Sequence, residues 1–446
     1  MRHFMTKEER ELFMEKNMLD LFDQPISNSI LLSKHLRRPI STRSKLNGNE
    51  NVIGIGGVES GKSMALALPN IMQRDCSYVI TDPGGNFLRT TGLALEKEGY
   101  EIKVLNLLDQ KKSHHYNPLV YVKDEFQLQD LFQCIVANSG KSEMIPFSHN
   151  NEYYLFAACV LYLSNNEEKK LTLKNVADMI RTLILDPTDH THLNKVFECM
   201  PLEDRARVAY MHIYCLTPEE RKACAIHCLS YLYPFLYREI QELTLEDELS
   251  LEQLGKKKMA LFIITPLFER TYTAIVPVLY TQILRILCKE KENHPPVKLI
   301  MDEFASYGIV PILGQYLAAT RQYNVSVMIL LKNLEQLKQL YKDTWKNILA
   351  NSGTIVLLSS PMQLTANMEL CTALFGLETE QMVKQFENFL ISEQHKNQCI
   401  VKMLGMPPCI DTKINFKKLS AYRETAYSNM TNSFSIAHLV KGRSQL

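Results

Sequence analysis

Short apolar runs recur along this chain and alternate with stretches whose apolar residues have helical spacing. The runs cover Val52–Ile55, Tyr78–Thr81, Ile102–Leu105, Ala260–Thr265, Val297–Met301, Val325–Leu331, Thr354–Leu358 and Cys399–Leu404. Several of them lack polar alternation, which is typical of strands buried on both faces of a largely parallel sheet. Strands that alternate with helices in this way predict an α/β fold with a mostly parallel central sheet.

The strand pattern disappears between about residues 123 and 255. Apolar residues there recur every three to four positions, which predicts amphipathic helices. The clearest stretches are Phe126–Ala137, Glu152–Leu163, Leu173–Leu183 and Pro218–Tyr233. We interpret residues 123–255 as an all-helical domain that is inserted into one α/β domain, formed by residues 47–122 and 256–415.

The two ends of the chain carry weaker patterns. Residues 1–46 are predicted to form a helix followed by a polar linker, and the Ser/Asn/Thr-rich residues 416–446 a loosely held tail. The longest apolar run, Tyr153 to Leu163, is shorter than the roughly 18 to 20 residues that a membrane-spanning helix needs. The N-terminus lacks a signal-peptide core. These patterns predict a protein that is neither inserted in a membrane nor exported.

Composition narrows the class of protein without identifying it. The 446 residues contain 50 Lys and Arg against 49 Asp and Glu, a formal net charge of +1. This balance excludes a globally basic nucleic-acid coat but allows a local basic channel. The apolar share of 46% and the charged share of 22% are ordinary for a globular protein. Eleven cysteines without disulfide-framework spacing indicate a cytoplasmic location.

Residues 56–63, Gly-Gly-Val-Glu-Ser-Gly-Lys-Ser, match the phosphate-binding pattern G-x-x-x-x-G-K-[ST] and follow an apolar run. Glycines let the backbone curl so that several N–H groups point at one phosphate cluster, and the following helix adds its positive end. In such a loop Lys62 reaches the β- and γ-phosphates, and the Ser63 hydroxyl is a ligand of Mg²⁺. The residues expected to contact ATP are Gly56, Gly57, Val58, Glu59, Ser60, Gly61, Lys62, Ser63 and Met64.

A phosphate-binding loop needs carboxylates from a neighbouring strand. The run Val297–Met301 is followed by Asp302 and Glu303, at the end of the strand where α/β sheets place their ligands. Taken alone, this pattern could equally be a strand that ends in solvent. Together with the loop, it predicts that Asp302 holds Mg²⁺ with Ser63 and that Glu303 is the general base for ATP hydrolysis.

With these motifs in place, the chain resembles the type IV secretion coupling proteins of the TraG/TraD type, conjugative DNA-transfer ATPases related to the HerA–FtsK motors. The resemblance runs from the phosphate-binding loop almost to residue 410. Its matching stretches are Tyr78-Val-Ile-Thr-Asp82-Pro83, Gly99-Tyr100, Val104-Leu-Asn-Leu, Tyr116-Asn117-Pro118, Leu261-Phe-Ile-Ile-Thr265-Pro266, Leu279-Tyr280-Thr281-Gln282, Asp302-Glu303-Phe304, Ala319-Thr320-Arg321-Gln322-Tyr323 and Phe375-Gly376.

The resemblance implies a RecA-like nucleotide-binding domain interrupted by an all-helical domain. It also implies a homo-hexameric ring at the cytoplasmic mouth of a secretion channel. Such a ring would recruit relaxase-bound DNA, with relaxosome proteins and channel components as partners. In these rings the nucleotide lies between subunits, and the motif match makes Arg321 the candidate arginine finger for the neighbouring subunit.

Three departures from the family pattern qualify these expectations. Gly84-Gly85-Asn86 replaces a Lys-Gly-Glu stretch, with the loss of both charges. Lys332 stands where the family has a glutamine; it could contact an anion but could not accept a hydrogen bond from the attacking water. Hydrolysis is therefore expected to be slow or altered. The N-terminal membrane helices of most members are also missing, so that the chain is expected to be either a soluble variant that associates with the membrane only through a partner, or a trimmed form.

Two other functions fit the same motifs. One is a HerA–FtsK-like DNA translocase outside secretion, and the other is an ATP-binding receptor or scaffold that hardly hydrolyses. Weaker signals favour packing or solvent over chemistry: Lys256–Lys258 before a strand, the single tryptophan Trp345, and residues of metal-ligand type without paired C-x-x-C spacing. Those residues are Asp189, His190, His192, His212, Cys215, Cys224, His227 and Cys228.

Overall fold

In the structure, a computed structural model, eight strands of one sheet coincide with the predicted apolar runs. The structure describes residues 29–40, 49–140, 151–166, 168–188, 191–266, 274–289, 295–359, 375, 380–436 and 439. Its strands are β1 (Ser29–Leu31), β2 (Arg37–Pro39), β3 (Val52–Ile55), β4 (Ser77–Pro83), β5 (Glu101–Asn106), β6 (Met259–Thr265), β7 (Val297–Met301), β8 (Val325–Leu331), β9 (Thr354–Leu358), β10 (Gln398–Met403) and β11 (Cys409–Thr412).

Nine of these strands form one sheet in the order β11-β10-β9-β3-β8-β7-β4-β6-β5. The seven strands from β9 to β5 in this order run parallel, whereas β10 is antiparallel to both of its neighbours. All parallel strands therefore end at the same edge of the sheet, where such folds place their ligands. The predicted α/β fold with a mostly parallel sheet is confirmed.

Alternate side chains of each strand enter two different apolar cores. In β8, for example, Val327 and Ile329 point into one core, and Met328 and Leu330 into the other. Burial on both faces explains why these strands read as continuous apolar runs. The first core continues into the helices between residues 125 and 243, so that the sheet and those helices pack as one body.

Helices flank the sheet and fill the segment between β5 and β6. They are α1 (Leu68–Ile71, directly after a π-helical turn Ser63–Ala67), α2 (Asn86–Lys97), α3 (Glu125–Ala137), α4 (Asn151–Ser164), α5 (Leu173–Leu185), α6 (His192–Glu198), α7 (Arg205–Tyr214), α8 (Pro218–Leu232), α9 (Arg238–Leu243), α10 (Ile275–Leu287), α11 (Leu313–Ala319), α12 (Glu335–Tyr341), α13 (Trp345–Ala350) and α14 (Glu380–Ile391). None of the described helices is long and apolar enough to span a lipid bilayer.

The region predicted to be an all-helical insertion consists of α3 to α9, joined by short connections, in its described part. Side-chain caps fix several of these helix starts: Asp124 accepts the Gln127 N–H at the start of α3, and Thr217 forms a capping box with Glu220 before α8. The domain boundaries at residues 123 and 255 stay a prediction.

Both ends of the described chain differ from the sequence-based expectation. Part of the predicted linker forms the hairpin β1–β2, while residues 1–28 and 41–48 lie outside the described residues. The predicted loose tail is packed as far as residue 436, because Phe416 and Phe434 are buried against the second core. The Phe434 N–H also donates to the Arg89 carbonyl in α2. The expectation of a loosely held tail was therefore wrong for residues 416–436.

Candidate nucleotide-binding site

Three parallel strands bring the predicted site residues, except Arg321, to one edge of the sheet. Strand β8 lies between β3 and β7 and pairs with both, with Ile55 opposite Leu331 and Met301 opposite Ile329. The phosphate-binding loop follows β3, Asp302 and Glu303 follow β7, and Lys332 follows β8. Because the carboxyl ends of parallel strands coincide, residues more than 200 positions apart in sequence become neighbours.

The loop after β3 has the backbone conformation that its glycines allow. The Gly56 N–H donates to the Leu331 carbonyl at 3.0 Å, which continues the β3–β8 pairing beyond the strand. A Cβ at Gly56 would collide with the Ser60 side chain. Gly61 has φ of 89°, in the left-handed region that favours glycine. The buried Ser60 hydroxyl has no hydrogen-bond partner among the described residues. It is therefore available to form a hydrogen bond with a ligand.

The Lys62 ammonium lies inside this loop. Its Nζ donates to the carbonyls of Gly56, at 2.5 Å, and Gly57, at 3.1 Å. Burial lowers the pKa of Lys62, while the nearby carboxylates of Glu303 and Asp302 act in the opposite direction. Two carbonyl contacts leave one ammonium proton for another acceptor, and a phosphate oxygen would be a stronger partner than either carbonyl.

Ser63 and Asp302 face each other across the site. The Ser63 Oγ donates to Asp302 Oδ2 at 3.2 Å, and the other carboxylate oxygen accepts the Glu303 N–H at 3.0 Å. Burial raises the pKa of Asp302 to about 6, helped by the charge of Glu303 and opposed by Lys62. A hydroxyl and a carboxylate oxygen are the hard ligands that Mg²⁺ prefers. This donor set fits a magnesium ion between Ser63 and Asp302.

Glu303 forms an ion pair that its sequence position did not suggest. The Lys332 Nζ lies 2.9 Å from Glu303 Oε2, and the two side chains are 43% and 22% exposed. Glu303 also has φ of 51°, a left-handed conformation that is strained for a residue with a side chain and recurs at functional sites. Ion pairs this exposed contribute about 1 kcal/mol or less, so that Lys332 can exchange partners.

Arg321 is not brought to the phosphate-binding loop of its own chain. It lies in the 3₁₀ turn Thr320–Tyr323, before β8, whereas Lys332 and the loop lie beyond the other end of that strand. Seven residues of strand separate the two ends by roughly 20 Å. The Arg321 Nε is 3.7 Å from the buried Glu50 carboxylate, and its side chain is 31% exposed. Sequence reasoning missed Glu50, which lies outside every motif.

The stretch that departs from the family pattern forms a glycine turn at the same sheet edge. Gly84 and Gly85 have φ of 74° and 76°, so that two successive left-handed residues close the turn between β4 and α2. Side chains are disfavoured at both positions. The lysine that the family carries here would therefore be strained in this turn, and glycine is what its conformation favours.

Asp82 lies just before this turn and is fully buried. Its two carboxylate oxygens accept the N–H groups of Phe87 and Leu88, at 2.9 and 2.8 Å, in the first turn of α2. Burial raises the pKa of Asp82 to about 7, and the charge of Asp302 adds to the effect. Asp82, which belongs to one of the stretches that resemble the family, thus has a structural role in this chain, because it fixes the start of α2.

The weaker sequence signals lie away from the site. Cys224 and Cys228 are buried among the helices of the insertion, and His212 stacks on Tyr154 with ring centroids 3.6 Å apart. Lys256–Lys258 precede β6 at the opposite edge of the sheet. Trp345 is buried in the core. Asp189, His190 and Gly376 lie outside the described residues.

Comparison with known proteins gives the family. The family model for type IV secretory system conjugative DNA transfer matches residues 25–393. This chain belongs to that family. It is 26% identical over 323 residues to the conjugal transfer protein TraG of Escherichia coli, an alignment that covers 66% of this chain and 49% of TraG. The match thus spans about half the length of that curated relative.

Solved structures of other proteins show the same fold. The bacterial conjugative coupling protein TrwBdeltaN70 superposes with a TM-score of 0.62 at 15% identity, over 82% of this chain and 84% of that chain. TrwB in complex with ADP and Mg²⁺ gives 0.59 at 15% identity, over 82% and 85%. VirB4 of Thermoanaerobacter pseudethanolicus gives 0.53 at 13% identity, over 89% and 98%. The resemblance drawn from the sequence is confirmed.

Proposed function

We propose that this chain is a coupling-protein ATPase that uses ATP hydrolysis in conjugative transfer through a type IV secretion channel. The observation that carries the proposal is the 3.2 Å contact between Ser63 of the phosphate-binding loop and Asp302, with Glu303 adjacent. A chain that only bound nucleotide would not need a second carboxylate at this position.

Each residue of the site has a distinct part in this proposal. The loop amides and Lys62 bind the phosphates of ATP, and Ser63 with Asp302 would hold Mg²⁺. When bound, Mg²⁺ would neutralise charge on the phosphate oxygens. Glu303 orients the attacking water and accepts its proton. Lys332, now paired with Glu303, would move toward the γ-phosphate when a nucleotide competes for its ammonium.

The place of Arg321 supports a site that is shared between subunits. Its side chain lies at the far end of β8 from its own loop, is partly exposed, and is held by Glu50. We therefore propose that it reaches the γ-phosphate of the neighbouring subunit in a ring, a hexamer by analogy with the family. An arginine so placed stabilises charge that develops during phosphoryl transfer.

A shared site predicts complementation between two inactive variants. Arg321→Ala should lower turnover about a thousandfold, because the arginine finger is lost. Lys62→Ala should also inactivate the subunit, because its phosphate-binding loop loses the ammonium that contacts the phosphates. In a mixture, a K62A subunit can supply Arg321 to the intact loop of an R321A subunit. We expect ATPase activity to reappear on mixing, up to about a quarter of wild type for random assembly in a site made by two chains. Inactive mixtures of subunits that demonstrably co-assemble would contradict a finger supplied by the neighbour.

Family membership supports DNA as the substrate of transport. The proposed partners are relaxase-bound DNA, relaxosome proteins and the channel components that would hold the ring at the inner face of the membrane. The decisive experiment is Mg²⁺-dependent ATPase activity with and without single- or double-stranded DNA. We expect stimulation by DNA and a steep dependence on protein concentration, because assembly completes the site. Activity that ignores both variables would contradict the proposal.

One observation favours a second candidate, a nucleotide-binding receptor that hydrolyses slowly. The Lys332 ammonium occupies one oxygen of the residue that would activate water. If the pair persists with ATP bound, turnover would be low and the bound nucleotide would mainly stabilise an assembled state. Tight ATP binding with negligible turnover in the presence of DNA would support this candidate over the first.

A further inference from the structure

A lysine far from every motif contacts the outside of the phosphate-binding loop. Lys413 follows β11, and its Nζ donates to the carbonyl of Ser60 in the loop at 2.7 Å. The same ammonium donates to the carbonyls of Ser359, at the end of β9, and Lys396, before β10, both at 2.6 Å. One side chain therefore joins the loop to two other segments of the sheet edge.

Three carbonyl acceptors match the three protons of an ammonium group. Among the described residues, Lys413 has no carboxylate partner, and burial lowers its pKa to about 8. The group is therefore still mainly an ammonium at neutral pH, and all three contacts are charge-assisted. An apolar side chain would leave these three carbonyl oxygens without their hydrogen-bond donor. The free-energy cost of such unpaired carbonyls explains why a lysine stands at this position.

The Lys413 backbone is itself fixed, so that its side chain is a rigid support. Its N–H donates to the Asn397 carbonyl at 2.7 Å. Two residues earlier, Asp411 accepts hydrogen bonds from Ser33 and from the His35 N–H in the turn between β1 and β2. The support is thus anchored to both the turn before β10 and the N-terminal hairpin.

The contacted carbonyl controls the direction of an amide in the loop. In a trans peptide the C=O of one residue and the N–H of the next point in opposite directions. Lys413 holds the Ser60 carbonyl on the outside, and this contact orients the Gly61 N–H away from Lys413. A flip of the peptide between Ser60 and Gly61 would change φ of Gly61, now 89°, and glycine tolerates such a change because it has no side chain.

We propose that Lys413 is a positioning residue for nucleotide binding: it fixes the peptide between Ser60 and Gly61 so that the loop presents its amides to phosphate. The inference rests on the proposed ATP-binding function of the loop. Lys413 does not touch nucleotide; it acts through the loop backbone. Because it pre-organises binding and not the attack on the γ-phosphate, its loss should affect ATP affinity more than the rate at saturation.

The test compares three variants of the full chain. Lys413→Met keeps the length of the side chain and removes the ammonium, and Lys413→Arg keeps a positive donor. Lys402→Met is the matched control, because Lys402 donates to the Met406 carbonyl in the β10–β11 hairpin, away from the loop. ATP affinity is measured with a fluorescent ATP analogue, kcat and KM by steady-state ATPase assay, and folding by thermal unfolding.

We expect K413M to weaken ATP binding and raise KM about tenfold, the effect of one charge-assisted hydrogen bond, with kcat changed less than about twofold. K413R should recover part of the affinity, and K402M should bind like wild type. Wild-type affinity in K413M, or an equal loss in K402M, would overturn the inference. If wild type itself does not bind ATP, or K62A binds as well as wild type, the proposed function fails instead.

Discussion

Replacing Lys62 by alanine is expected to lower Mg²⁺-dependent ATP turnover at least about a hundredfold. The side chain lies inside the phosphate-binding loop, where its Nζ contacts only the carbonyls of Gly56 and Gly57 among the described residues. In a buried site, one positive donor aimed at charge that develops on the phosphates contributes about a hundredfold or more to the rate. Steady-state release of phosphate at saturating ATP measures the effect.

The fold should survive this change, because the ammonium contacts loop carbonyls and not the apolar cores. We expect the thermal midpoint of K62A to stay within a few degrees of wild type, which separates lost chemistry from lost structure. Lys111→Ala is the matched control, since Lys111 is exposed after β5, and it should keep full activity. Wild-type-like turnover by folded K62A would refute the assignment of the loop.

The sheet could be predicted from the sequence because burial of a strand on both faces is recorded in a short, contiguous stretch of residues. Strands buried on both faces need continuous apolar runs, and each of the eight predicted runs became a strand of the sheet. The hairpin β1–β2 and the strand β11 escaped prediction because they have three or four residues and mixed polarity. The packed segment after residue 416 was missed for a similar reason: a few separated aromatics, such as Phe434, fix it to the sheet.

The residues of the site also differ in whether a local sequence pattern could predict them. Residues that belong to a contiguous pattern, such as Lys62 and Asp302, could be predicted because nucleotide chemistry fixes their order and spacing. Glu50 and Lys413 could not, since they act through contacts with Arg321 and Ser60 that join positions hundreds of residues apart. No local pattern records such contacts; they exist only after the sheet has brought its edges together.

Replacing Glu303 by glutamine is expected to lower turnover about a hundredfold or more while ATP binding stays within a fewfold of wild type. Glutamine keeps the shape of the side chain and can still hydrogen-bond to water, but it cannot accept the proton of the attacking water. Single-turnover hydrolysis and binding of a fluorescent ATP analogue separate the two effects. Glu335→Gln is the matched control, because Glu335 pairs with Lys338 on the exposed face of α12.

A substitution of Lys332, the ion-pair partner of Glu303, tests whether that pair affects hydrolysis. Lys332→Gln removes the ammonium that occupies Glu303 Oε2 and restores a group that can accept a hydrogen bond from water. If the ion pair persists with ATP bound, as in the second candidate, K332Q should raise turnover severalfold and have no such effect in an E303Q background, because the gain acts through Glu303. If Lys332 instead moves to the γ-phosphate, K332Q should not raise turnover. This double-mutant cycle measures the coupling directly. Equal gains in both backgrounds would mean that Lys332 acts on the nucleotide and not on the base, and full turnover by E303Q would remove Glu303 from the mechanism.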